Sequence, residues 1–190
     1  MSKLRYIYSS MNAGKTSNLI QTAFNYKEMG HQVAVLTSAL DDRYGTHKVA
    51  SRIGLEMDAI PVAASDSIKL VLSNSLSEIS AIFVDEAQFF TKEQIDELGD
   101  IVDEYEINVF CYGIRSDFRG ELFPGSERLL TIADEITELK NICYCGKKAI
   151  MNARICGCTG DQVEIGGNDK YVSLCRKHFK EQLELMKLNN

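Results

Sequence analysis

A chain of 190 residues, 45% hydrophobic and 25% charged, suits one globular domain, or one with a small appendage, and is long enough to bury a core. Its net charge of -6 supplies no bulk field for nucleic acid or an anionic membrane, although a local cluster of donors can still hold a phosphate group. No apolar run approaches the roughly 18 residues of a membrane span, and "MSKLRYIYSS" has no signal-peptide core; the expected location is the cytoplasm, where the six cysteines stay reduced and point to metal or structure before disulfides.

Leu4 to Tyr8 is an aromatic and β-branched run of strand length. Leu19, Ile20, Ala23, Phe24 and Lys27 then follow helical spacing up to a stop at Gly30, and "HQVAVLT" is an apolar run without alternation, as in a strand covered on both faces. Strand, helix and strand in this length make a βαβ unit. "DDRYGTHKVASRIG" is a polar, turn-rich excursion, "AIPVA" a further strand and "DSIKLVLSNSL" a helix. "AIFVDEAQFF" is an apolar strand ending in acids. The next segment starts at Thr91 as an N-cap and puts Ile95, Leu98, Ile101 and Val102 on one face; "INVFCYGI" is another buried strand, with Cys111 in the core. The alternation predicts an α/β doubly wound core. After about Leu139 cysteines and glycines cluster, and "EQLELMKL" closes the chain as a helix, which predicts a boundary near residue 140.

Three groups of residues carry chemistry. "SSMNAGKT" fits the phosphate-loop pattern except that Ser9 stands where the first glycine belongs. Such a loop aims backbone N–H groups at phosphate oxygens from a helix N-terminus, with Lys15 reaching the β- and γ-phosphates and Thr16 offering a hydroxyl to Mg²⁺. Ser9 is tolerable if only the Gly14 position needs glycine's freedom; the competing reading is a chance A-G-K-T at a helix start. Asp85, ending its strand, is placed to hold Mg²⁺, and Glu86 to take a proton from a nucleophile, either water or an acceptor hydroxyl; acids also end strands merely because strands emerge into water. Of the aromatic residues that follow, alternation sends one toward the site and one to the core, unless both are core. Cys143, Cys145, Cys175 and His178 make a closed tetrahedral Zn²⁺ inventory, with Cys156 and Cys158 as a rival pair and metal-free buried cysteines as the third reading.

In order, "SSMNAGKT", "DDRYGTHKVASRIG", "FVDEAQFF", "CYGIRSDFRGELFPGS", "ICYCGKKA" and "IGGNDKYVSLCRKH" form a set that resembles the zinc-containing, type II thymidine kinases over nearly the whole chain. The resemblance implies a RecA-like P-loop core with a mainly parallel sheet over residues 1–140, and a small zinc-binding domain carrying a lasso loop over residues 141–190. It implies transfer of the ATP γ-phosphoryl group to the 5'-hydroxyl of thymidine, with deoxyuridine as a further acceptor. It places ATP and Mg²⁺ on Ser9, Ser10, Met11, Asn12, Ala13, Gly14, Lys15, Thr16, Asp41, Arg43, Asp85 and Gln88, and makes Glu86 the catalytic base. The nucleoside falls to Met11, Phe89, Phe118, Phe123, Glu164, Ile165, Gly166, Gly167 and Tyr171, and structural zinc to Cys143, Cys145, Cys175 and His178. A homotetramer, feedback inhibition by thymidine triphosphate and a role in nucleotide salvage are implied as well, without nucleic acid or membrane partners.

Several positions depart from the family. Ser9 replaces glycine, C-x-C replaces C-x₂-C, His178 replaces a cysteine, and Cys156 and Cys158 match no pattern and fall in the lasso. The rivals are a P-loop ATPase acting on nucleic acid, which would want a basic groove, and a non-catalytic zinc-binding interaction module.

Overall fold

The computed structural model describes residues 1–40, 47–155 and 170–188. Six strands form one sheet: β1 (Leu4–Ser9), β2 (Gln32–Ser38), β5 (Ile60–Val62), β6 (Ile79–Asp85), β7 (Asn108–Ile114) and β8 (Glu135–Glu138), in the order β5-β2-β6-β7-β1-β8. Every pairing in it is parallel. A parallel sheet needs cover on both faces, which explains the unbroken apolar runs. Alternation assigns each residue its side. Tyr6, Leu36, Ile82, Val84, Val109 and Cys111 join one buried cluster; Ile7, Val35, Ala81, Phe83 and Tyr112 join the other.

Helix α1 (Lys15–Glu28) covers the second face through Leu19, Ile20 and Ala23. Phe24, expected on the same stripe, is 48% exposed, because it lies about 100° around the helix from Ala23. On the opposite face lie α2 (Ile68–Val71), α3 (Lys92–Tyr105) and α4 (Pro124–Ile132). Thr91 caps α3 in a reciprocal capping box with Gln94, and Ile95, Leu98, Ile101 and Val102 are the buried stripe, as the spacing predicts.

Three local expectations change. The strands flanking α1 are not neighbours, since β6 and β7 lie between β1 and β2. The helix expected over 66–76 is one turn capped by Ser67, followed by turns through Leu72, Ser75 and Leu76. Helix α4 and strand β8 were not foreseen. The short α4 starts at Pro124, well suited to a first helical turn, and β8 is a brief edge strand with exposed Ile136.

The polar excursion contains β3 (Lys48–Ala50), which pairs antiparallel with β4 (Glu56–Asp58) just beyond it. Beyond β8, β9 (Asn141–Ile142) pairs with β10 (Lys148–Ala149), and β11 (Met151–Arg154) with β12 (Tyr171–Leu174), both antiparallel. Helix α5 (Arg176–Leu188) follows, and a separate small cluster gathers Cys143, Ala149, Ala153, Leu174, Cys175 and Phe179. No helix among the described residues is long and apolar enough to cross a membrane.

Candidate active site and metal centre

The loop between β1 and α1 has the backbone of a phosphate cradle. Its positive φ values fall at Asn12 (67°) and Gly14 (79°), and Gly14 is the N-cap of α1. A side chain at Gly14 would be strained whatever the space around it, whereas Ser9 simply ends β1 in extended backbone. The absent first glycine therefore costs the loop no conformation it needs. Lys15 Nζ turns back over the loop, 3.1 Å from Ser9 Oγ and 3.4 Å from Ser10 O.

At the second residue of α1, Thr16 Oγ1 donates to Asp85 Oδ2 at 3.0 Å, joining the loop to the tip of β6. Asp85 is 5% exposed. Burial and then the neighbouring Glu86 push its carboxyl up to about 7, while the Thr16 hydroxyl, the Glu86 N–H and Lys15 pull it down. A buried carboxylate next to a second carboxylate is a site in want of positive charge, which a divalent cation would supply.

Glu86 sits at φ 50°, a left-handed conformation that turns the chain out of β6 into a single 3-10 turn, Ala87–Phe89. For a non-glycine residue this is uncommon backbone, and it directs the Glu86 carboxylate away from the strand line. Gln88 receives it: Nε2 donates to Glu86 Oε2 at 2.5 Å, while Oε1 accepts from the Ile114 N–H at 3.1 Å. Two glycines keep this turn seated. A Cβ at Gly113 would come within 2.8 Å of Gln88 Oε1, and one at Gly125 within 2.4 Å of Ala87 O.

The two aromatic residues after Gln88 differ in burial, although the segment is a 3-10 turn and not the extended run on which alternation was argued. Phe90 is buried in the core, and Phe89 meets Phe123 edge-to-face at 5.7 Å. Phe118 lies against Arg154, whose guanidinium carbon is 3.8 Å from its ring centre. Arg154 also donates to Tyr171 Oη at 3.0 Å. Sequence reasoning passed over Arg154, and the signal available was faint: a lone arginine in a short strand, normally solvent-facing, that is 1% exposed here. Asp41, Arg43, Glu164, Ile165, Gly166, Gly167 and the rest of the lasso, with Cys156 and Cys158, lie outside the described residues.

The four expected metal ligands do converge. Among the described residues, Cys143 Sγ, Cys145 Sγ, Cys175 Sγ and a His178 ring nitrogen all lie within 4.8 Å of one another. Cys143 Sγ and Cys175 Sγ are 3.3 and 3.4 Å from His178 Nδ1, and Cys145 Sγ is 3.9 Å from Cys175 Sγ. Tetrahedral thiolates at about 2.3 Å from Zn²⁺ stand about 3.8 Å apart, so the donors fit such an ion. Gly146, at φ 79°, closes the tight turn after Cys145. Burial opposes ionisation of Cys143, but the Cys145 and Cys175 N–H groups and His178 outweigh it and bring the thiol down to about 6, so a thiolate stands ready at neutral pH. Tyr144 stacks on His178 at 4.4 Å. Cys111 is buried in β7, far from this chemistry in role, its thiol pushed up by burial.

A family model described as thymidine kinase matches residues 2–179 of this sequence. The chain belongs to the thymidine kinase family. A thymidine kinase of Photobacterium profundum is 52% identical over 190 residues, spanning 96% of this chain and 99% of its own length. One from Shewanella oneidensis is 48% identical over 188 residues, covering 95% and 98%. One from Rhizobium meliloti is 47% identical over 192 residues, covering 96% and 98%. Among solved structures, a weaker likeness reaches the Pif1 helicase of Candida albicans, with TM-score 0.46 and 14% identity over 74% of this chain and 36% of that one. That degree of likeness assigns no residue a role. Membership of the thymidine kinase family rests on the full-length match and not on any one motif.

Proposed function

We propose that the protein transfers the γ-phosphoryl group of ATP to the 5'-hydroxyl of thymidine, with deoxyuridine as a second acceptor. The observation that carries the mechanism is the Glu86 carboxylate, held by Gln88 beside the Asp85–Thr16 contact at the mouth of a phosphate loop. Backbone N–H groups from Ser9 to Gly14 take the phosphates, and Lys15 swings from its contact with Ser9 to the β- and γ-oxygens. Asp85 and Thr16 would hold Mg²⁺, which neutralises charge on the phosphates when bound; family resemblance assigns Asp41, Arg43 and Gln88 to the same ATP and Mg²⁺ side of the reaction. Glu86 accepts the proton of the attacking 5'-hydroxyl. Met11, Phe89, Phe118, Phe123 and Tyr171, with lasso residues 164–167, form the nucleoside side. Keeping water out of that pocket directs the phosphoryl group to thymidine.

Residues 1–140 act as the nucleotide-binding domain, and residues 141–190 as the domain that carries a structural zinc. Cys143, Cys145, Cys175 and His178 supply four donors, which fills a tetrahedral ion and leaves no open position for catalysis. A homotetramer, feedback inhibition by thymidine triphosphate and a cytoplasmic location belong to the same reading, supported by family membership alone.

A phosphoryl-transfer assay with ATP across the four deoxynucleosides and deoxyuridine tests the activity. Thymidine is expected to be the best acceptor; ATP hydrolysis stimulated by DNA and indifferent to nucleosides would overturn the reading. Glu86→Gln keeps the size and hydrogen bonding of the side chain but not its basicity, so turnover should fall roughly 10²- to 10⁴-fold while thymidine still binds. Turnover like that of the unaltered protein would remove Glu86 from the mechanism.

A further inference from the structure

The hairpin β11–β12 has two faces of opposite character. Met151, Ala153, Val172 and Leu174 alternate onto one face and pack in the small cluster with Cys143 and Cys175. Asn152, Arg154, Tyr171 and Ser173 occupy the other. They form two facing pairs, Asn152 opposite Ser173 and Arg154 opposite Tyr171. A two-stranded hairpin ordinarily gives its polar face to water. Here those four side chains are 4%, 1%, 9% and 8% exposed in chain order, so the polar face is buried and its hydrogen bonds must go to something specific.

The first pair is spent on the phosphate loop. The Met11 N–H donates to Asn152 Oδ1 at 2.8 Å, and Ser173 Oγ donates to Met11 O at 2.7 Å. Asn141 Nδ2 donates to the same carbonyl at 2.7 Å, and Ser10 Oγ approaches Ala149 O at 3.4 Å. Met11 is thus gripped through its own N–H and C=O, one residue before the left-handed Asn12 that starts the loop's final bend. The second pair, one step along the same face, is spent on the aromatic side of the site: Arg154 lies over Phe118 and donates to Tyr171.

We propose that this face of the hairpin is the spacer that sets the phosphate loop against the nucleoside pocket, with Asn152 and Ser173 as positioning residues for phosphoryl transfer. The inference rests on the kinase reading above. Transfer requires the acceptor oxygen and phosphorus to meet at about 3–3.5 Å, and a misplacement near 1 Å costs on the order of 10²-fold. One rigid pair of strands that holds both partners fixes that separation more tightly than two independent loops could. Loss of Asn152 takes the acceptor from the part-buried Met11 N–H, and loss of Ser173 leaves the Met11 carbonyl with Asn141 alone, so in either case the loop is held less tightly against the hairpin.

The test uses the full chain with its metal bound, as Asn152→Ala, Ser173→Ala and Ser173→Thr. Asn152→Ala should raise KM for ATP and Kd for ADP roughly 5- to 30-fold, the loss expected for a part-buried peptide N–H that loses its acceptor, and Ser173→Ala, in which the Met11 carbonyl keeps Asn141, roughly 2- to 5-fold. They should also lower kcat, with metal content unchanged and thymidine affinity falling less than ADP affinity, since of the nucleoside residues only Met11 loses a contact while Phe118 and Tyr171 keep theirs with Arg154. Ser173→Thr, which keeps the hydroxyl, should restore ADP affinity. ADP affinity and kcat unchanged in the Ala variants would overturn the inference. So would losses that track only the fraction of protein folded, with no rescue by threonine. A failure of the kinase reading is distinct: the unaltered protein would not phosphorylate thymidine, and ADP affinity of the variants would still judge the grip.

Discussion

Leu98 and Ile101 of α3 lie in a buried cluster drawn from β1, β2, β6, β7 and three helices, with Tyr6, Leu36, Ile82, Val84 and Val109 around them. The corresponding cluster beyond β8 gathers six buried side chains among the described residues, and two of them are the thiols Cys143 and Cys175. The first region can close on hydrophobic burial alone. The second is of a size at which a core seldom suffices, and its ligand side chains double as core side chains. The contrast places stability and chemistry differently: the sheet sets Lys15, Thr16, Asp85 and Glu86 by strand ends, and in the small region the four clustered donors offer an ion a place from which it would brace the hairpin that grips Met11.

The largest expected effect separates the two regions outright. Structural zinc sites of this type contribute on the order of 10 kcal/mol of folding free energy, so chelation should unfold the small region. Hydrogen exchange should then rise through residues 141–155 and 170–188, while amides of β1, β6 and β7 stay protected. Uniform loss of protection across the sheet would show that the regions are not separable. Replacing Cys143 and Cys145 by serine should reproduce the chelated pattern, whereas replacing Cys156 and Cys158 should leave bound metal intact; the reverse result would exchange the ligand pairs.

This difference also governs what could be read from the sequence. In the sheet region, unbroken apolar runs and the stripe Ile95, Leu98, Ile101, Val102 state their burial directly, since period and composition agree there. Strand order is less local: nothing in "YIYSS" or "HQVAVLT" announces that β6 and β7 will lie between them. Helix α4 was missed because its stripe is short and its buried contact includes a glycine, Gly125, that shows no hydrophobic signal. For the metal donors the sequence offered alternatives, since the C-x-C spacing is unusual and Cys156 with Cys158 made a rival pair; among the described residues Cys143, Cys145, Cys175 and His178 come together. The buried face of β11–β12 was not legible: Asn152, Arg154 and Ser173 look like a solvent face until the phosphate loop is placed against them.

A middle-sized effect tests the sheet side. Gly125 lets α4 approach the turn that follows Glu86, and an added Cβ would lie 2.4 Å from Ala87 O and 2.7 Å from Phe90 O, both backbone atoms that cannot rotate aside. Gly125→Ala should therefore cost about 1–3 kcal/mol in overpacking, offset in part by alanine's better helix propensity. Because the displaced backbone carries Glu86 and Gln88, kcat should fall further than stability alone predicts, with bound metal unchanged. Thermal melting beside steady-state kinetics checks both halves, and a variant with full kcat would show that the Glu86 turn tolerates the shift.

The smallest effect is confined to one helix end. Thr91 Oγ1 accepts from the Gln94 N–H at 3.2 Å, and Gln94 Oε1 accepts from the Thr91 N–H at 3.1 Å. Gln94 is also committed elsewhere: its Nε2 donates to Ala63 O at 2.8 Å and to Asp66 O at 2.9 Å, tying α3 to the loop after β5. Thr91→Ala removes one acceptor at an α-helix N-terminus and should cost about 1 kcal/mol. Gln94→Ala removes the return bond and two donations to part-buried carbonyls, of which Ala63 O keeps the Asp66 N–H, so it should cost more, about 1–3 kcal/mol. The order of the two, read from denaturant midpoints, decides whether Gln94 serves chiefly as a cap or as a tie between α3 and the sheet edge. A larger loss for Thr91→Ala would make it a cap. In either case the chelation pattern beyond β8 should not change, because α3 and the metal ligands share no buried cluster.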